Sequence, residues 1–185
     1  MSLASKQIAT QHLVLTAIGK NKTGLVSELT GLISQCNCNV LDSKMAIFGS
    51  EFTMIMLLAG ENSALLELEV KLPQLAVQLN LLTMMKRTAK HEELARPQYL
   101  VQIEGPDQTG TIKKLTSYLA KNQIDIASLK SNTLFKDGLE WQSADINIDL
   151  PESVSPEDLK SGLETECALL NMNCIISPIT INQKQ

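Results

Sequence analysis

The sequence predicts an α+β protein made of two successive copies of one β-α-β-β-α-β unit. Segments with helical or strand-like hydrophobic spacing follow the same order in each half of the 185-residue chain. A shift of 86 positions also superposes identical residues, which indicates an internal repeat. The superposed pairs are Gly19 and Gly105, Thr23 and Thr109, Gly24 and Gly110, Leu29-Thr30 and Leu115-Thr116, and Lys44 and Lys130.

In the first half, the turn and breaker residues divide the hydrophobic pattern into separate elements. Gly49-Ser50 is typical of a two-residue hairpin between strands. Pro73 is expected to interrupt the second helix, because proline removes a backbone donor and clashes with the preceding turn. The predicted elements are strand 12–19, helix 24–36, strands 38–48 and 51–59, helices 63–72 and 73–79, and strand 80–87.

The second half repeats this order. Lys136-Asp137-Gly138 predicts a hairpin turn. Ser155 followed by Pro156 is typical of a helix start, with a capping hydroxyl and a proline at the first helical position. The predicted elements are strand 98–105, helix 110–122, strands 124–135 and 139–150, a helix from about 155 to 170, and strand 172–181.

Each half therefore predicts a ferredoxin-like domain with an antiparallel four-stranded sheet and two helices on one face. The domains are expected at 10–87 and 98–182, with the polar segment 88–97 as a linker. Strand 139–150 alternates apolar and polar residues, which predicts one wet face on the second sheet. Strand 51–59 is apolar on both faces, so its free face is expected to be covered by the second half or by another chain.

Charge and hydropathy exclude several classes of protein. The net charge is −4, with +1 on residues 1–87 and −5 on residues 97–185, and no run of Lys and Arg exceeds two. Direct binding to nucleic acid is not expected without a basic surface. No apolar run approaches the roughly 20 residues that span a bilayer, so no membrane segment is expected. The chain is expected to be cytoplasmic.

Neither a catalytic group nor a metal site is apparent in the sequence. His12 and His91 are the only histidines, and neither has an obvious nucleophile or metal-ligand partner. The four cysteines, Cys36, Cys38, Cys167 and Cys174, have no zinc spacing, so they are expected to be buried thiols in a reducing compartment, with a disulfide or a zinc site as the alternative. We therefore expect no enzyme activity, no cofactor and no metal.

The repeated loops 20–24 and 106–110 each join a strand to a helix. Backbone N–H groups at a helix N-terminus can receive a carboxylate, and Asn21 or Asp107 could receive an ammonium group. The alternative is purely structural, since Asn, Asp, Thr and Gly are the usual capping and turn residues. Both interpretations remain open from spacing alone.

The two units with their Asn/Asp-x-x-Gly loops resemble ACT domains, a family of small-molecule sensors, usually for amino acids. The resemblance implies that a polar residue at the start of the next strand also belongs to the site, and it places Asn39 and Asp125 there. In many ACT loops a proline stands where this chain has Thr23 and Thr109. The implied ligand-binding residues are Asn21, Thr23, Gly24 and Asn39 in the first unit, and Asp107, Thr109, Gly110 and Asp125 in the second. The acidic pair Asp107 and Asp125 is expected to hold an ammonium group better than the neutral pair.

The complete chain, with two ACT units and no DNA-binding domain, resembles the family of glycine cleavage system transcriptional repressors. The resemblance covers about residues 10–182 and includes Leu72-Pro73, Met84 to Thr88 and Ile124 to Leu129. It implies a repressor that senses an amino acid, with glycine the expected ligand, and that contacts a LysR-type activator rather than DNA. Two alternatives are a free-standing subunit that regulates a metabolic enzyme and an ACT pair that binds only protein. A homo-oligomer is compatible with each alternative.

Overall fold

The computed structural model describes residues 10–89 and 96–179. The chain divides into two compact units, with the division between Glu92 and Glu93, and each unit is treated by itself below. Most of the expected linker 88–97, including His91, lies outside the described residues, as do residues 180–182 at the expected end of the second domain.

The first unit follows the order β-α-β-β-α-β. Its four strands form one antiparallel sheet in the order β2-β3-β1-β4. Its elements are β1 (Gln11–Lys20), α1 (Leu25–Gln35), β2 (Asn39–Phe48), β3 (Glu51–Gly60), α2 (Asn62–Leu79) and β4 (Leu81–Thr88).

The second unit repeats the same topology. Its antiparallel sheet has the order β6-β7-β5-β8. Asp137 and Gly138 both have positive φ, 51° and 82°, as the predicted tight hairpin between β6 and β7 requires. The elements are β5 (Gln98–Pro106), α3 (Thr111–Lys121), β6 (Asp125–Lys136), β7 (Leu139–Asp149), α4 (Pro156–Ala168) and β8 (Asn173–Pro178).

Both helices of each unit pack on the same face of their sheet, which confirms the predicted ferredoxin-like fold. In the first unit the buried stripes of α1 and α2 join alternate residues of β1 and β3 in one core. In the second unit α3 and α4 do the same with β5 and β7. The repeat extends to irregularities, because β2 and β6 are bulged at positions 86 residues apart, Val40/Asp42 and Ile126/Ser128. None of the helices in the described ranges is long and apolar enough to cross a bilayer.

The predicted interruption at Pro73 is wrong, because α2 is a continuous helix with Pro73 inside it. Pro73 itself is exposed, whereas Leu68, Leu72 and Ala76 on either side of it are buried against the sheet. Most helix stability in proteins comes from packing an apolar face rather than from intrinsic propensity. The apolar stripe therefore holds both halves of α2 in register despite the lost backbone hydrogen bond.

The open faces of the two sheets differ. In β7 the even-numbered residues from Ala144 to Ile148 are buried and the odd-numbered ones are exposed or half-buried, which confirms the predicted wet face. In the first sheet Ile55 is 47% exposed, and Leu82 and Met84 on β4 are also exposed. Residues of the first unit therefore do not cover the open face of β3 at Ile55.

Candidate functional site

The first candidate site is the loop between β1 and α1. The backbone N–H of Asn21 donates to the carbonyl oxygen of Ser50 at 3.0 Å, which fastens the loop to the turn between β2 and β3. Helix α1 begins at Leu25, and no side chain caps its N-terminus. The first N–H groups of a helix lack partners within the helix, and the helix dipole favours negative charge there. These amides can therefore receive a carboxylate.

The corresponding loop between β5 and α3 has more internal contacts. The N–H of Asp107 donates to the carbonyl oxygen of Glu140 at 2.9 Å. The side-chain amide of Gln108 donates to the carbonyl oxygen of Leu170 at 2.9 Å. The N–H and hydroxyl of buried Thr111 both donate to the carbonyl oxygen of Gln108, at 3.3 and 3.0 Å. The backbone N–H of Thr111 at the start of α3 is thus already hydrogen-bonded. The second loop therefore offers fewer unpaired N–H donors than the first.

Gly24 and Gly110 precede the two helices in the left-handed region, with φ of 96° and 93°. No atom lies within 4 Å of a Cβ added at either position. The glycines are therefore required by backbone conformation and not by the close approach of another part of the chain. The space beside each glycine is open to a ligand.

The polar side chains of the loops are accessible. Asn21, Thr23 and Thr109 are exposed and Asp107 is half-buried. The loop side chains of Asn21, Thr23, Asp107 and Thr109 make no hydrogen bond to another described residue. Their polar atoms are free for a ligand in both units.

Asn39 lies far from the loop that the resemblance associates with it. In the first sheet Asn39 pairs with Ala59, which pairs with His12 at the start of β1. Asn21 follows the other end of β1, a strand of ten residues. At about 3.3 Å per residue, roughly 30 Å separates the two ends.

The second unit has the same separation. Asp125 pairs with Asp149 opposite Gln98 at the start of β5, whereas Asp107 follows the end of β5. A helix between two parallel strands returns the chain to the edge where the first strand began, so the next strand starts away from the loop. The prediction that one ligand contacts both a loop residue and the strand-start residue of the same unit is therefore wrong.

Asp125 also has a partner that the sequence did not indicate. The Nη1 atom of Arg96 lies 2.8 Å from Oδ2 of Asp125, although the Asp125 side chain is 71% exposed. Asp107 and Asp125 therefore lie at opposite ends of the sheet, and they do not hold one ammonium group together as expected.

A groove of about 460 Å³ beside the first loop was missed by the sequence reasoning. Asn21 and Lys22 of the loop line the groove, and most of its lining surface is apolar. The groove lies between the start of α1 and residues of β2 and β3, elements that are brought together only by the fold. Its apolar wall consists of Leu25, Val26, Met45 and Phe52.

The second unit differs at the corresponding wall. Phe52 pairs with Gly19, and the residue that pairs with Gly105 is Gln142. The Oε1 atom of Gln142 is buried without a hydrogen-bond partner among the described residues. The two loops thus share a backbone conformation, but the strand residue opposite the glycine is apolar in the first unit and polar in the second.

The two thiols of the first unit, Cys36 and Cys38, are unsuited to nucleophilic chemistry. Cys36, Cys38 and Cys167 are buried and Cys174 is half-buried, and all four are free thiols. Burial raises the pKa of Cys36 and of Cys38, which keeps them in the unreactive protonated form. Among the described residues no three His, Cys, Asp or Glu side chains are grouped as metal ligands.

Comparison with known proteins gives the same fold and a regulatory family. An ACT domain model matches residues 11–86. The glycine cleavage system transcriptional repressor of Escherichia coli K12 is 31% identical over 182 residues, covering 95% of each chain. The repressor of the same name from Shigella flexneri matches equally well.

Solved structures agree along the length of the chain. A crystal structure described as a candidate glycine cleavage system transcriptional repressor superposes with a TM-score of 0.74 and 32% identity, covering 92% of this chain and 98% of the other. A protein of Galdieria sulphuraria shows the same fold, with a TM-score of 0.75 and 22% identity. The relatives that match almost the full length of the chain, at 31% identity, are transcriptional repressors. The chain therefore belongs to the family of the glycine cleavage system transcriptional repressor.

Proposed function

We propose that the chain senses glycine and represses transcription of the glycine cleavage operon by contacting a LysR-type activator. The observation that supports this most strongly is the similarity to a repressor of that system over 95% of both chains. The distribution of charge agrees with repression through protein contact. The net charge is −4, and the few phosphate contacts that such a chain can make do not sustain tight binding to DNA. The proposed site of action is the cytoplasm.

The proposed ligand site is the loop before the first helix of each unit. The ligand carboxylate would accept hydrogen bonds from the amides that follow Gly24 or Gly110. The ammonium group would contact the side-chain oxygen of Asn21 or the carboxylate of Asp107. The more open amides of α1 favour the first loop, whereas the anionic Asp107 favours the second.

Calorimetry with glycine tests the sensor part of the proposal. Asn21→Ala and Asp107→Ala should each weaken binding at their own loop. Asn39→Ala and Asp125→Ala are matched controls, because these exposed residues lie at the far ends of the same sheets. If the control substitutions abolish binding while the loop substitutions do not, the loop assignment fails.

Transcription in a purified system tests the regulatory part. RNA polymerase, a LysR-type activator and a glycine cleavage promoter should give activated transcription that this chain lowers and glycine restores. Purification of the tagged chain from its native cells should recover the activator. Recovery of a metabolic enzyme in its place would favour the alternative of an enzyme-regulating subunit.

A further inference from the structure

The second unit has a groove of about 600 Å³ along the exposed side of α3. Three lysines border it, and α4 contributes Glu166 on the opposite side. At 3.6 residues per turn, Lys113, Lys114 and Lys121 lie within an arc of about 100°, and the outer two are roughly 12 Å apart along the helix. We call Lys113, Lys114 and Lys121 the α3 lysine face.

The charges of the α3 lysine face are not neutralised within the unit. None of the three lysines forms an ion pair with another residue in the part of the chain that the structure describes. All three are exposed, although residues 97–185 carry a net charge of −5. Acidic side chains are therefore plentiful in this unit, and Glu166 lines the same groove, yet none of the described acidic side chains lies within ion-pair distance of these cations.

The stability of α3 explains Lys121, which lies in the last turn where the dipole favours a cation, but it does not explain Lys113 and Lys114. Lys113 and Lys114 lie near the helix N-terminus, where the dipole disfavours cations, and the first turn contains no acidic residue. The placement of these two lysines is therefore unfavourable for the helix itself.

The first unit lacks this feature on the same fold. The 86-residue shift places Ser27, Glu28 and Gln35 of α1 at the positions of the three lysines. The helix scaffold is thus compatible with neutral or acidic residues there. The basic face distinguishes the second unit from the first and is not a requirement of the ferredoxin-like architecture.

The floor of the groove is fixed by the packing of α3 on α4. The phenol ring of Tyr118 lies against Gly162, and a Cβ at that position would overlap it. Asn122 at the end of α3 donates through Nδ2 to the carbonyl oxygen of Tyr118 at 2.9 Å. These contacts fix the helix that carries the lysines against α4.

We propose that the α3 lysine face and its groove bind an acidic segment of a partner protein. Carboxylates two turns apart on a helix match the roughly 12 Å between Lys113 and Lys121. Three cations on an otherwise acidic unit suit a short run of carboxylates, whereas a nucleic acid would bring its remaining phosphates against the surrounding negative charge. This inference deepens the proposed function, on which it rests for the identity of the partner.

Binding of a fluorescent glutamate-rich helical peptide to the full chain tests the surface by anisotropy. Changing Lys113, Lys114 and Lys121 to Gln should weaken binding by roughly fivefold, since three exposed charge pairs are lost and each contributes only a small factor. The control changes Lys44, Lys86 and Lys130, which are exposed on strands, to Gln and should change affinity by less than about twofold. Both variants lose the same charge, so equal losses would overturn the proposal.

Two further outcomes would also overturn it: no saturable binding of the peptide to the unaltered chain, or tighter lysine-dependent binding of a DNA or RNA duplex. A carbodiimide, which joins amines to carboxylates in contact, should cross-link the α3 lysine face to the LysR-type activator. If peptide binding depends on the three lysines but no activator is bound, the docking surface stands and the proposed function fails. If the activator binds the α3 variant as tightly as the unaltered chain, the surface assignment fails and the proposed function stands.

Discussion

Gly105 lies directly against the backbone of Asn171. A Cβ atom on Gly105 would come within 2.9 Å of the carbonyl oxygen of Asn171, and one on Gly19 would come within 2.7 Å of the carbonyl oxygen of Asn80. Both asparagines have a positive φ, 54° and 55°, in the turn that leads into the last strand of each unit. The superposition of Gly19 on Gly105 in the sequence therefore has a steric cause, since only glycine leaves room for this turn.

Alanine at Gly19 should lower the free energy of unfolding by about 2 kcal/mol, because the methyl group must displace the backbone of Asn80. Gly31→Ala is the control, since Gly31 lies in α1 with no atom within 4 Å of an added Cβ. The control should stabilise the chain by up to about 1 kcal/mol through helix propensity. Urea unfolding followed by circular dichroism measures both changes, and a neutral Gly19→Ala would show that the turn can move away.

Pro73→Ala should raise the free energy of unfolding of the first unit by roughly 1–2 kcal/mol. Alanine restores the missing backbone donor inside α2, and the gain is reduced by the greater freedom of the unfolded chain. Amide hydrogen exchange along α2 measures the change. Lower protection at Leu72 and Ala76 would indicate instead that their packing depends on the local distortion that proline produces.

The ion pair between Arg87 on β4 and Glu69 on α2 should make stability depend on pH. Nε and Nη2 of Arg87 lie 2.6 and 3.0 Å from the two carboxylate oxygens of Glu69, and these hydrogen bonds lower the pKa of Glu69. A carboxyl group whose folded-state pKa is lowered contributes stability above its ordinary pKa, and this is lost as the pH falls through the lowered value.

Glu69→Gln should therefore cost less than about 1 kcal/mol near neutral pH, because the pair is only partly buried. The difference from the unaltered chain should shrink as the pH falls below 4.5, the ordinary value for this side chain. Urea titrations at several pH values measure it, with Glu67→Gln as the control on the exposed side of the same helix. A difference that stays constant from neutral to acid pH would contradict the role of the Glu69 charge.

The chain alone should show no sequence-specific binding to DNA at physiological salt. It has a net charge of −4, and the release of counterions from phosphate requires a more extensive basic surface. Gel shifts with a glycine cleavage operator fragment and a scrambled fragment measure this. A shift of the operator alone, with no activator present, would contradict both this expectation and repression through protein contact.

The order of the elements was readable from the sequence because it depends on local rules. Alternation along β7 separates buried Ile146 from exposed Asp145, and the tight turn at Asp137-Gly138 requires residues that tolerate a positive φ. Such features act within a few residues, so hydrophobic periodicity and turn chemistry predict them. Local rules fail at Pro73. The packing of Leu72 and Ala76 against the sheet outweighs the tendency of proline to end a helix, so α2 continues through it.

The sequence by itself determined where the two loops lie. Gly24 and Gly110 precede segments whose apolar residues recur with helical spacing, so the start of each helix is visible in the chain. Only the tertiary structure decided which other residues lie beside these loops. Asn39 lies near Asn21 in the sequence but at the other end of the sheet, because the chain returns through α1 to the edge where β1 began before β2 starts. Phe52 lies far along the chain yet lines the groove beside the first loop, because antiparallel pairing brings the β2–β3 hairpin back to the end of β1. The conformation of each loop depends on residues close to it in the sequence. The residues that surround the loop depend on how the strands pair.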